Sequence, residues 1–249
     1  MFSEPVENLV LSAEDFENNI FRVQIKDAES NRFEVPVERN FHTEGDWDTG
    51  ISTKMTVSAA NVEISRDSSK IFDMSFAPLV FEDQYISFGI HLDPSWDVYG
   101  FGESEKRNLK IDRNRYKQGI FARDVGTYPT NNGYGHHPFF MVVDESGKAH
   151  GIFFNNANAM EVEVTETGVV FRTIGGVIDI FILAGDTPQA VLKQYTHGTG
   201  RPILPPYWSL GFHLCRWVSF HKKIKDSRRK FIQDVPNSSS INLLWVIPP

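Results

Sequence analysis

The sequence predicts an all-β fold, an antiparallel β-sandwich, on three observations. Apolar residues alternate with polar ones over short runs, the period-two signature of a half-buried strand. Gly, Pro, Asn and Asp punctuate those runs at short intervals, as tight connections between antiparallel strands require. Twenty Phe and five Trp, within 41% hydrophobic residues, supply a large core. The 249 residues allow one large domain, or a medium one plus a fragment of another.

Phe21, Val23 and Ile25 form the first run. Phe33, Val35 and Val37 repeat it after a polar turn at 27–31. Val62 and Ile64 follow, then Ile86, Phe88, Ile90 and Leu92. Later runs cover 138–143, 151–154, 160–164, 169–173 and 177–183. In all, about ten strands with short connections are expected to pack as two sheets. Residues 108–135 break the pattern, with charged, aromatic, Gly and Asn residues of little periodicity. A loop that long in a compact domain is functional or disordered.

Asp186-Thr187-Pro188 has the cap-then-proline form of a helix start. Val191 and Tyr195 would share one helix face, and Gly198 or Gly200 would end it. Arg201-Pro202-Ile203-Leu204-Pro205-Pro206 then reads as a stiff extended connector. Leu210, Phe212 and Leu214 alternate once more within 207–217. Beyond Trp217 the character changes. Residues 218–249 hold six Lys/Arg against two Asp, a charge of +4, while the first 217 residues carry 19 basic against 30 acidic groups, or −11.

The overall charge of −7 argues against nucleic acid or an anionic membrane as main partner. Lone Cys215 rules out an internal disulfide and reads as a core thiol. No apolar run is long enough to span a bilayer. The N-terminus lacks the basic-then-apolar form of a signal peptide, so either the chain is cytosolic or its natural start is missing. The compartment stays open. Asn237-Ser238-Ser239 has the form of a glycosylation acceptor, meaningful only for a secreted chain. His136-His137 would point to opposite faces of an extended chain and has no third ligand at usable spacing, so no metal is expected. Gly100-Phe101-Gly102 lacks the strand-to-helix setting of a phosphate loop. No cofactor is expected.

The string Tyr207-Trp208-Ser209-Leu210-Gly211-Phe212-His213-Leu214-Cys215-Arg216-Trp217 resembles the opening of the catalytic barrel in glycoside hydrolase family 31, in its α-glucosidase branch. Phe21-Arg22-Val23-Gln24-Ile25-Lys26-Asp27 with Arg32-Phe33-Glu34-Val35-Pro36-Val37 resembles an early hairpin of that family, and Tyr99-Gly100-Phe101-Gly102-Glu103 a further element. His137-Pro138-Phe139-Phe140-Met141, His150-Gly151-Ile152-Phe153, 155–160 and 173–179 follow in the family's order. The resemblance implies a galactose-mutarotase-like β-sandwich at 1–200, with a sugar-site loop at 108–135. It also implies a linker and the first strand of a truncated (β/α)8 barrel at 201–217, leaving 218–249 as an unrelated basic tail.

Glycoside hydrolysis needs two carboxyl groups flanking the scissile bond. The family places both on barrel loops far downstream of the first barrel strand, and nothing after Trp217 matches their motif. Asp73-Met74-Ser75 is an echo of it inside the sandwich. Asp226 and Asp234 have no barrel to hold them. No catalytic residue is therefore assigned, and whether the chain is itself an enzyme stays open, with inactivity alone expected. Two positions carry over as sugar contacts. Ala122-Arg123-Asp124 resembles the element whose aspartate accepts hydrogen bonds from sugar hydroxyls. Trp217 matches an aromatic lining the sugar pocket, where its face suits the C–H face of a pyranose. The plainer readings are a turn-capping Asp124 and a Trp217 packed at a domain junction. The implied partner is an α-glucoside or glucose-type carbohydrate, bound weakly if the barrel is absent. A stand-alone carbohydrate-binding or regulatory module is the alternative, and a basic tail that binds nucleic acid ranks below it.

Overall fold

In the computed structural model, residues 4–16, 18–37, 39–41, 51–102, 108–114, 116–122 and 135–211 are described. These described residues form fourteen strands: β1 (Leu9–Asp15), β2 (Ile20–Asp27), β3 (Thr53–Val57), β4 (Asn61–Arg66), β5 (Ser69–Ser75), β6 (Val80–Glu82), β7 (Tyr85–His91), β8 (Asp97–Gly100), β9 (Tyr116–Ile120), β10 (Phe139–Val143), β11 (Ala149–Phe154), β12 (Met160–Thr165), β13 (Gly168–Thr173) and β14 (Ile178–Leu183). They build a six-stranded sheet in the order β1-β2-β14-β11-β10-β8. The other sheet has eight strands in the order β3-β4-β5-β7-β13-β12-β9, with β6 paired to β7. Neighbours run antiparallel, as β2 with β14 and β7 with β13 do. The antiparallel β-sandwich expected from the sequence is the fold observed.

Alternation explains the core. Val62, Ile64, Ile86, Phe88, Ile90, Val162, Val164, Val169 and Phe171 point inward from the larger sheet and are buried. Phe21, Val23, Ile25, Ile178, Ile180 and Ile182 meet them from the smaller one. Burying each such side chain contributes about 1.5–3 kcal/mol. Strands β11 and β14 are buried at every position, because their outer face is covered as well. There Phe181, Leu183, Phe153, Met141 and Ala149 pack with Phe41 and Val191 in a second cluster.

Helix α1 (Pro188–Thr199) supplies part of that cover. Thr187 caps it, its hydroxyl accepting from Ala190 N at 3.2 Å, and Pro188 stands in the first turn. Gly200, at φ +105°, ends it. Val191 is fully buried, and Tyr195 stacks on Phe139 with ring centroids 4.2 Å apart. The cap, the face and the stop expected at 186–200 are all present.

Two expectations within the sandwich need correction. Phe33–Val37 is not a strand, although its alternation predicted one. Both edges of β2 are already taken, by β1 and β14, so no edge remains for a hairpin partner. The segment is held through side chains instead. Glu34 accepts from Lys26 Nζ at 2.8 Å and Gln24 Nε2 at 3.2 Å. Arg32 donates to Gly176 O and to Asp83 O. The second correction concerns 108–135, which is not all loop: Tyr116, Gln118 and Ile120 alternate inward on β9 at a sheet edge.

The chain divides into two units, Met1–Gly200 and Arg201–Pro249. In the second, the extended connector ends in one 3-10 turn at Tyr207–Leu210, where alternation predicted extended backbone. Residues 212–217, the rest of the expected barrel strand, and the basic tail lie outside the described residues.

Candidate functional site

Asp124 and Trp217 lie outside the described residues, as do Glu103, Arg123, His213, Cys215, Asp226 and Asp234. The structure does describe the frame from which the Asp124 loop departs and to which it returns. β9 delivers the chain to the loop from the edge of the larger sheet, with Ile120 paired to Met160. The chain re-enters through β10 of the smaller sheet. The residues that flank the loop therefore belong to different sheets.

The start of β10 is braced by Tyr99-Gly100-Phe101-Gly102. Phe101 N donates to Phe139 O at 3.0 Å, and His137 N donates to Gly102 O at 2.7 Å. Phe101 is fully buried at φ +54°, a left-handed conformation that costs on the order of 1–3 kcal/mol outside glycine. Packing offsets the strain. Its ring stacks on Phe140 at 5.2 Å and Tyr116 at 5.9 Å, and meets Phe171 edge-on. Gly100, at φ +128°, allows the close approach: a Cβ there would lie 2.6 Å from Phe139 O. Burial pushes the Tyr116 phenol well above its ordinary range, and its hydroxyl donates to Gln118 Oε1 at 2.7 Å. Burial also lowers the His136 pKa, helped by neighbouring His137.

The remaining candidates separate cleanly. Asp73 faces outward on β5 and takes an ion pair from Lys70 at 3.0 Å, so it is a surface carboxylate in a strand. Among the described residues no three His, Cys, Asp or Glu side chains gather to hold a metal.

Sequence reasoning missed a polar network on the outer face of the smaller sheet. Arg22 donates to both oxygens of Asp179, at 2.7 and 3.2 Å, and Asn155 Nδ2 donates to the same carboxylate at 2.8 Å. Asp179 is only 3% exposed. The Arg22 guanidinium lies over Phe181, and that of Arg39 over Phe153. Arg22, Arg39, Asn155, Asp179 and Phe181 line a cleft of about 310 Å³ together with Val35, Pro36 and Val37. Arg22 and Asp179 stand 157 positions apart, so no local signal could join them.

A family model described as the glycosyl hydrolase 31 N-terminal galactose mutarotase-like domain matches residues 4–163. The chain belongs to this family. Among curated relatives of this GH31 domain, intestinal sucrase-isomaltase of Oryctolagus cuniculus is 38% identical over 224 residues, 87% of this chain and 12% of the relative. Lysosomal alpha-glucosidase of Bos taurus is 36% identical over 197 residues, 78% of this chain and 21% of the relative. The chain thus spans under a quarter of either relative's length. Among solved structures, glucosidase II alpha subunit superposes with a TM-score of 0.69 at 17% identity, covering 90% of this chain and 34% of that one. A GH31 dextranase of Flavobacterium johnsoniae, complexed with glucose, gives 0.65 at 17% identity, covering 92% and 32%. At that identity the likeness is one of fold, and it agrees with the GH31 sandwich described above.

Proposed function

We propose that this GH31 sandwich forms one wall of an α-glucoside pocket in an α-glucosidase-type hydrolase. Asp124 offers its carboxylate to sugar hydroxyls, and Trp217 offers an apolar face to the pyranose. The two catalytic aspartates belong to a (β/α)8 domain whose first strand lies in 207–217, after a sandwich at 1–200. In this reading 218–249 is a tail outside both domains.

The observation that carries the reading is the loop frame. A strained, fully buried Phe101 and a glycine tight against Phe139 brace the start of β10, where the chain returns from the Asp124 loop, and Phe101 reaches β9 through Tyr116. A loop that must hold one carboxylate to a ligand needs such rigid supports. The family match and the α-glucosidase relatives support the choice of ligand class. One wall alone offers few contacts, so sugar binding through it is weak without the facing domain.

The test is a hydrolysis assay on a nitrophenyl α-glucoside. The 249-residue chain is expected to give no turnover, and turnover would sink the assignment of catalysis to a separate barrel. Fused to a GH31 barrel, Asp124→Ala is expected to lower kcat/KM by about 10- to 100-fold, the loss of one hydrogen bond to a charged group. Unchanged kcat/KM would remove Asp124 from the pocket.

A further inference from the structure

A cleft of about 540 Å³ opens at the other end of the sandwich, lined from both sheets. The registers fix its place. His91 pairs with Gly168, and Gly168 with Thr165 at the far end of β12 from Met160, where the Asp124 loop departs. Asp73 and His91 face each other across β5 and β7. Glu145 reaches the cleft from the turn between β10 and β11, and Asp93 and Trp96 from the turn after β7.

That turn is held in place. Asp93 Oδ1 accepts from Ser95 N at 2.9 Å and Ser95 Oγ at 2.8 Å. Arg113 donates to Asp93 O and Trp96 O at 2.6 and 2.9 Å, and also to Thr165 O and Glu166 O. Trp96 is half-buried, its indole edge-on to His150 at 5.5 Å. The Trp96 indole N–H, the His91 ring and the Glu145 carboxylate make no hydrogen bond among the described residues and are not sealed from water. Lys70 is neutralised by Glu63 and Asp73. The free charges of the cleft are then the carboxylates of Asp93 and Glu145, which repel phosphates and acidic sugars. A held tryptophan beside the Glu145 carboxylate, the second Asp93 oxygen, an imidazole and an indole N–H matches a neutral polyol: an apolar ring face on the indole, hydroxyls on the acceptors.

We propose that this cleft binds a segment of a neutral α-linked glucan, with one pyranose against Trp96 and its hydroxyls on Glu145, Asp93 and His91. The choice of an α-linked glucan rests on the function proposed above; the demand for a neutral, hydroxyl-rich ligand comes from the cleft itself.

Calorimetric titration of the 249-residue chain with maltohexaose tests it. Saturable binding is expected, with Kd on the order of 1 mM for so open a site. Glu145→Gln, at an exposed turn that leaves the fold intact, is expected to weaken it about tenfold. Trp96→Leu should abolish it, with far-UV circular dichroism checking the fold. Asp124→Ala should leave it unchanged. No saturable binding, or binding that survives both cleft substitutions, overturns the proposal. Binding lost on Asp124→Ala and kept by the cleft variants overturns it too, and leaves the loop reading standing. The hydrolysis assay, which the cleft substitutions do not enter, judges that loop reading separately.

Discussion

His150 stands fully buried on β11, with neither ring nitrogen hydrogen-bonded among the described residues. Burial first, and then the Arg66 charge, hold its pKa down to about 3; Asp144 opposes them. An unfolded chain protonates the same histidine near its ordinary value of about 6.5. Between those values the unfolded state binds more protons than the native one, so stability falls as pH drops through the window and is retained in full above it. The loss amounts to about 1.4 kcal/mol per pH unit from this group. Urea unfolding at pH 7.5 and pH 5 should show it, and His150→Phe should flatten the difference; an unchanged difference in the variant would assign the slope to other groups. Neither His150 nor its neighbour Arg66 was legible in the sequence. Arg66 donates to Ala149 O and Gly185 O at 2.6 Å each, partners 83 and 119 positions away. In the sequence it is one more charge beside a turn.

Elements were more legible where the signal is local. The helix start at Thr187-Pro188 carries its own cap, and the inward alternation of β7, β12 and β13 needs no distant partner to be read. Alternation reports which face is buried and is silent on which edge is free. That is why Phe33–Val37 was expected to pair and does not. β9 escaped notice because one of its three inward positions is the polar Gln118, in a stretch that otherwise reads as loop. The functional strings were partly legible: Tyr99–Gly102 was singled out by resemblance, but its job of bracing the loop base appears only once Phe101 and Phe139 are seen together. Gly100→Ala tests that job. It adds a Cβ against Phe139 O at a backbone angle that disfavours side chains, and should cost on the order of 1–3 kcal/mol. A melting temperature equal to that of the parent would show that the base tolerates the change.

At the scale of the molecule, the fold class followed from pattern and resemblance together, while the assignment of strands to sheets did not. β2 pairs with β14, and β13 with β7, across long stretches of chain that no window of sequence connects. Stopping the chain at residue 175 would remove β14 and leave β2 and β11 without their shared neighbour. Far-UV circular dichroism of that truncation should show loss of the native sheet; a native spectrum would mean that the smaller sheet closes without its central strand.

The same pairing sets a timetable for biosynthesis. β2 ends at Asp27 and its partner begins at Ile178. At ordinary translation speeds the first strand is made roughly 8–30 s before the second exists. Throughout that interval Phe21, Val23 and Ile25 have no permanent neighbour on that side, so the nascent chain exposes an apolar, unpaired edge until β14 leaves the ribosome.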